Sequence, residues 1–128
     1  MTAADARHKL AQLGHPGGPI YFACFTRRGE TKLTDIARAF PEHKKWIAAQ
    51  EAVGRIVFAG PFLTDDMTWD GDGLIVFRIR TAGEAEYLAS QDPMHARGLR
   101  TFKIVPWQLN EGLLRIDLLF SKEGFELA

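Results

Sequence analysis

Two ionisable residues, His43 and Asp92, stand at positions where acid–base chemistry would be possible. His43 lies three residues before Trp46 and four before Ile47, so helical periodicity places it on the stripe that carries the core-facing indole. Asp92 lies four residues after Leu88 and ends a second apolar helical stripe. Both side chains are therefore expected to point inward, where an ionisable group needs a partner.

A carboxylate beside an imidazole is an arrangement suited to moving protons. The carboxylate fixes the tautomer of the ring and raises its proton affinity, whereas burial lowers that affinity, so the ring can act as a general acid or base without a cofactor. A purely structural role is the alternative. In that case Asp92 forms a turn before Pro93, and His43 is a core histidine bonded to a backbone carbonyl.

His95 and Arg97 follow Asp92 closely and are candidates for substrate binding at the mouth of a pocket. The guanidinium of an arginine offers a fork of hydrogen-bond donors to a carboxylate or a phenolate. The alternative for both residues is a solvated helical turn that binds no ligand.

Four residues of the predicted strands are further candidates for substrate binding. Phe22 and Trp107 could form an aromatic wall against a flat molecule, although the strands of small domains also place aromatic side chains in the core. Gly60 and Pro61 could present a free backbone amide or carbonyl, because strand pairing must lapse around a proline. The alternative for this Gly-Pro pair is a plain strand end.

The remaining motifs predict neither a metal site nor a cofactor. Cys24 is the only cysteine, and a buried, inert thiol is expected there. The four histidines show no spacing typical of a metal site. The Gly-Asp-Gly of 71–73 lacks the pattern of a phosphate-binding loop, so nucleotide binding has no support.

Seven predicted elements position these residues. The apolar runs and helical spacings predict a helix over 3–13, a strand over 20–26, a helix over 33–53, strands over 55–62 and 74–80, a helix over 81–91 and a strand over 101–109. Pro41 is expected to kink or restart the second helix, and 64–73 is expected to be a surface loop. Residues 94–98 could form a single turn, and 113–121 predict an extra strand that needs an edge to pair with.

Beyond the first helix the order is β-α-β-β-α-β, which predicts an α+β fold of the ferredoxin-like type, with an antiparallel sheet and two helices on one face. These helices run roughly parallel. His43 lies ten residues from the start of one helix and Asp92 nine from the start of the other, so at about 1.5 Å per residue each is roughly 15 Å along its helix. The two side chains are expected to be level neighbours, unless Pro41 breaks the first of these helices.

The composition excludes several partners and locations. Sixteen basic residues balance sixteen acidic ones, which leaves no excess positive charge to bind nucleic acid or an anionic membrane. The single cysteine favours a reducing compartment. Because no apolar run resembles a signal peptide or a transmembrane helix, we expect a soluble, cytoplasmic protein.

Two stretches resemble a known family: PEHKKWIAAQEAVGRIVFAGPF and GDGLIVFRIRTAGEAEYLASQDPMHARGLRTFKIVPWQL. They contain a helical His, an Ala-Gly-Pro in the second strand, an Asp-Pro after the next helix and a Pro-Trp in the last strand. In this order and spacing the motifs resemble the YCII-related family over about 20–109. The length predicts one domain over 1–128. The resemblance covers its core at 20–109, and the sequence departs from the family by an N-terminal helical extension at 1–18 and a C-terminal extension at 110–128.

The resemblance also implies a homodimer that closes into an α+β barrel, with a pocket centred on His43 and Asp92. Related barrels include muconolactone isomerases and a chlorinated hydroxyquinol dehydrochlorinase, which transfer protons on small ring compounds. We therefore expect a cofactor-independent lyase or isomerase that acts on a small-molecule substrate. The alternatives are a non-catalytic dimeric module that binds a metabolite or assists a larger enzyme, and a cofactor-independent quinol monooxygenase.

Overall fold

The computed structural model describes residues 2–15 and 17–115. The elements are α1 (Ala3–Gln12), β1 (Ile20–Arg27), α2 (Leu33–Ala52), β2 (Ile56–Leu63), β3 (Trp69–Phe77), α3 (Ala82–Ser90), α4 (Pro93–Ala96) and β4 (Thr101–Gln108). These four strands form an antiparallel sheet in the order β2-β3-β1-β4. The predicted α+β, ferredoxin-like architecture is therefore confirmed.

The side chains of β1 alternate between the two faces of the sheet, as a period of two residues requires. Ile20, Phe22 and Cys24 point into the main core, where Phe22 is paired in register with Phe77 of β3. Leu88 of α3 belongs to the same core. One face of the sheet is thus buried beneath the helices, and His43 and Asp92 belong to this layer.

The N-terminal helix α1 packs on this core through Ala3, Ala6 and Leu10. The backbone amide of Ala3 also donates a hydrogen bond to the carbonyl of Arg80 at 3.0 Å. A capping box at Thr2 begins the helix, since the Thr2 hydroxyl accepts from the backbone amide three residues later. The N-terminal extension is therefore docked on the sheet layer.

The strand β3 begins at Trp69, earlier than the predicted start at residue 74, and 69–73 is strand rather than loop. A tight hairpin is the reason. Leu63 pairs with Trp69, and the amide of Thr64 donates to the carbonyl of Thr68 at 2.8 Å. The polar composition of 69–73 predicted a loop, but the partner strand supplies the backbone hydrogen bonds that extend the ladder.

The helix α2 continues through Pro41 instead of breaking there. A proline has no amide proton, so the carbonyl of Ala37 lacks its usual helical donor. The helix nevertheless continues, because its other residues keep their hydrogen bonds and pack on the sheet.

The short helix α4 is the predicted single turn. Residues 113–115 lie outside any helix or strand, and the rest of the predicted extra strand lies outside the described residues. Within 2–15 and 17–115, no helix is long and apolar enough to cross a membrane.

Candidate active site

The structure brings His43 and Asp92 together as a buried, hydrogen-bonded pair. His43 Nδ1 lies 2.9 Å from Asp92 Oδ1 and 2.8 Å from Oδ2. Asp92 is 0% exposed and His43 is 8% exposed. Because α2 is one continuous helix, His43 lies level with the end of α3, as the number of residues along each helix predicts.

Asp92 also begins α4, where it is the N-cap residue. Its Oδ1 accepts a hydrogen bond from the backbone amide of Met94 at 2.9 Å, which satisfies one of the free amides at a helix start. The predicted turn before Pro93 is therefore present, and it coexists with the bond to His43. Asp92 thus combines the contact with His43 and the structural role that the sequence left open.

The bond to Asp92 determines which nitrogen of His43 is available to a ligand. An ionised carboxylate only accepts hydrogen bonds, so Nδ1 must carry the proton. In the neutral ring Nε2 is then the acceptor. Because the His43 side chain borders a cavity, the imidazole can take a proton from a molecule bound there while Asp92 stabilises the charged ring.

The cavity has a volume of about 560 Å³ and lies between α2 and the half of the sheet formed by β2 and β3. Its walls are mainly apolar. Phe40 connects two of the wall residues, with its ring centroid 5.5 Å from that of His43 and 5.5 Å from that of Trp69. The indole of Trp69 is held in turn by a 3.0 Å hydrogen bond to the carbonyl of Asp72.

Most of the cavity residues were not predicted from the sequence, and four of them bear on the chemistry of the site: Phe40, Trp69, Thr26 and Arg100. The alternation of β1 could have indicated Thr26, which shares a face with Phe22. Phe40 lies on the stripe of α2 that also carries His43. Arg100 precedes β4 in an irregular connection, where no periodicity predicts the direction of a side chain.

Gly60 and Pro61 border the cavity that His43 also borders. Phe22 is 2% exposed in the core and does not line the cavity. Trp107 is paired in register with Tyr21 on the sheet face opposite to that of Phe22. The structure therefore does not bring Phe22 and Trp107 together into one wall.

Neither His95 nor Arg97 lines the cavity. Arg97 forms an ion pair with Glu42 at the surface. His95 is partly buried, its Nδ1 bonds the carbonyl of Ala89 at 2.7 Å, and its ring packs 4.6 Å from that of Phe102. Burial lowers the pKa of His95 from its ordinary value, against opposing contributions from this hydrogen bond and from the negative charge of Asp92.

This lowered pKa predicts how stability depends on pH. In the unfolded chain His95 binds a proton at about pH 6.5, but the folded protein resists protonation, so the unfolded state binds more protons below that pH. The free energy of unfolding should therefore fall as the solution is acidified, and this contribution should be absent in His95→Gln. Urea unfolding at about pH 7.5 and about pH 5.5 checks this. Equal pH dependence in the two proteins would contradict it.

Cys24 is fully buried in β1, as predicted. Burial, and to a smaller degree the charges of Asp92 and Glu86, raise the pKa of its thiol to about 12. The side chain is therefore a neutral thiol near pH 7. Within the described part of the chain, no group of three or more His, Cys, Asp or Glu residues could hold a metal ion.

A comparison with protein-family profiles matches the YCII-related domain over residues 20–108. A comparison with curated proteins finds no match. The matched region runs from the first residue of β1 to the last residue of β4 and contains both His43 and Asp92. It covers well over half of the sequence. The chain therefore belongs to the YCII-related domain family.

Proposed function

We propose that the cavity is the active site of a cofactor-independent lyase or isomerase that acts on a small aromatic or lactone-like molecule. The observation that carries this proposal is the position of His43. Its Nδ1 is bonded to a fully buried carboxylate, and the same ring borders a cavity of about 560 Å³. A carboxylate that orients the ring and a pocket that a substrate can enter are two features expected of a histidine general base.

In the proposed reaction His43 Nε2 accepts a proton from an activated carbon or hydroxyl of the substrate. The electron pair of the broken bond then moves into the substrate. In an isomerase His43 returns the proton at a second position. In a lyase the electron pair expels a leaving group, and the proton remains on His43 until it passes to solvent. Asp92 stabilises the imidazolium during both reactions.

The size and the walls of the cavity support a ring-shaped substrate. A volume of about 560 Å³ falls within the range of roughly 300–1,000 Å³ that is usual for small-molecule sites. Phe40, Trp69 and Pro61 offer apolar surface to a flat molecule, and aromatic rings pack well against such surfaces.

Hydrogen–deuterium exchange tests this proposal and does not require the product to be identified. The protein is incubated in D₂O with a panel of lactones and hydroxyquinols, and NMR follows the loss of each exchangeable C–H signal. Exchange above the rate of the buffer alone supports proton transfer. A panel that binds to the protein but never exchanges or reacts would contradict it.

Binding without turnover is the second candidate function, favoured by the structural role of Asp92 as the cap of α4. The bond between Asp92 and His43 could simply hold the start of α4 in place, and such a structural role would account for the pair without catalysis. The same panel separates the two candidates, since a binding module would saturate with a ligand and leave its C–H signals unchanged.

We also propose a homodimer formed through the sheet face opposite the helices. Phe58 is 57% exposed and Trp107 is 45% exposed, and Phe62 stacks on Phe25 with 6.0 Å between ring centroids. Ile56 and Phe77 form a pair on the helix-covered face of the sheet. Phe58 is paired with Val76, the residue next to Phe77, and therefore points to the opposite face. Large apolar side chains exposed on one face of a sheet favour an interaction surface there.

Phe58→Lys is therefore expected to weaken the dimer by about 2 kcal/mol or more, roughly 30-fold in Kd, because a charge would replace an apolar anchor within the interface. Sedimentation equilibrium measures the change. Tyr87→Lys is the matched control, since Tyr87 is an exposed aromatic residue of α3. A wild-type protein that sediments as a monomer at every concentration would contradict the proposed interface.

We infer that 1–128 forms a single domain with its core at 20–109. The docking of α1 on the main core supports the assignment of 1–18 to this domain.

A further inference from the structure

Arg100 is a buried cation that borders the same cavity as His43. It is 7% exposed. Its Nε has no hydrogen-bond partner, and among the residues that the structure describes no carboxylate lies within 4.0 Å of its guanidinium. Burying a charge without a partner is costly, so a position of this kind requires an explanation.

The neighbours of Arg100 do not supply the missing partner. Its guanidinium carbon lies 5.7 Å from the centroid of the Trp69 ring, but the hydrogen-bond donors of a guanidinium lie in its plane and a ring provides no strong acceptor for them. Asp72 accepts a hydrogen bond from the backbone amide of Arg28 at 2.8 Å, and Asp92 is bonded to His43 and to the start of α4. Both carboxylates already have other partners.

A second unpartnered polar group borders the cavity. Thr26 is 1% exposed, and its Oγ1 has no hydrogen-bond partner. Thr26 is paired in register with Gly73 of β3, and a Cβ placed on Gly73 would lie 3.6 Å from this hydroxyl. A side chain at position 73 would therefore pack directly against this hydroxyl. Two buried donors without acceptors at one cavity indicate an acceptor that arrives with a ligand.

The other charges at the cavity are consistent with an anionic ligand. Lys44, on the exposed side of α2, adds a positive charge. Glu51 and Asp72 are the acidic residues at the cavity. Glu51 is exposed to solvent, and Asp72 is bonded to the amide of Arg28. Of these charged side chains only Arg100 is both buried and unpaired.

We propose that the cavity takes its ligand as an organic carboxylate, with the carboxylate bound by Arg100 and Thr26 and the flat body against Trp69 and Phe40. This inference rests on the proposed function, because it names the substrate class of the same site. An Arg–carboxylate pair inside a cavity is strong and directional. It would also hold the ring of the ligand in a fixed orientation relative to His43.

The test compares benzoate with benzamide, which has the same ring and nearly the same size but no charge. Titrations near neutral pH follow the Trp69 indole N–H signal by NMR. We expect the wild type to bind benzoate about 10- to 100-fold more tightly than benzamide, as a hydrogen bond to a charged group predicts. Arg100→Gln should abolish the preference. Arg38→Gln, which changes an exposed arginine of α2, should retain it.

Thr26→Val provides an independent measurement, because valine has the shape of threonine without the hydroxyl. We expect benzoate affinity to fall about 3- to 10-fold, while the unliganded protein becomes no less stable, since the hydroxyl has no partner to lose. Equal binding of the two probes by the wild type, an unchanged preference in Arg100→Gln, or no binding of either probe would overturn the proposal.

The outcomes also distinguish this inference from the proposed function. Benzoate binding needs no proton transfer, so it should persist in His43→Gln. If the protein prefers benzoate but exchanges no substrate proton, the proposal of a carboxylate site is supported and the proposal of a lyase or isomerase activity is contradicted. If the protein exchanges protons on neutral substrates only, the proposed activity is supported and the proposed carboxylate site is contradicted.

Discussion

Asp92→Ala should lower the free energy of unfolding by about 2–4 kcal/mol, because it removes a buried hydrogen bond to a carboxylate, worth about 1.5–3 kcal/mol, together with the cap of α4. Asp92 is completely buried, and it bonds both the ring of His43 and the backbone amide of Met94. Its loss leaves His43 Nδ1 without an acceptor in a buried position and removes the cap of α4, which by itself is worth about 1 kcal/mol.

Urea unfolding of the wild type and of Asp92→Ala measures this difference in the free energy of unfolding. Asp35→Ala is the matched control, because Asp35 is partly exposed in the first turn of α2 and makes a long, 3.8 Å contact with Arg38. Its loss should cost less than about 1 kcal/mol, as is usual for surface pairs. A cost for Asp92→Ala as small as that of the control would mean that the buried pair does not stabilise the fold.

His43→Gln should lower the rate of substrate proton exchange by about 10²- to 10⁴-fold, which is the usual contribution of a general acid or base. Glutamine can still donate a hydrogen bond to Asp92, so the fold should be retained. It cannot accept and release a proton near pH 7. The exchange rate of one substrate from the lactone and hydroxyquinol panel, compared with the wild type, gives the magnitude.

Asp92→Asn tests the same mechanism through the tautomer of the ring. The asparagine oxygen can still cap α4, while its amide would donate to His43 Nδ1 and so favour the form protonated at Nε2. We expect a loss of exchange comparable to that of His43→Gln, together with a change in the ¹⁵N signals of the neutral ring. His8→Gln, on the exposed surface of α1, is the control. Full activity in Asp92→Asn would contradict the proposed role of Asp92.

The periodicity of the sequence predicted the elements and the direction of several side chains. Helical spacing placed His43 and Asp92 on inward stripes, and the structure joins their side chains at 2.8 Å. This worked because α2 and α3 each bury one face on the same sheet, so that a single apolar stripe fixes the rotation of each helix. The order of the elements gave the sheet architecture for a similar reason, since few topologies connect short strands and helices without crossing.

The sequence by itself therefore determined the fold class, the family and the two ionisable residues that meet beneath the helices. Only the tertiary structure decided the extent of β3, the volume of the cavity and the presence of Thr26 and Arg100 on its wall. Periodicity is a local property that reports burial. The start of β3 depends on pairing with β2, and the environment of Arg100 depends on elements distant in sequence, so neither follows from a local pattern.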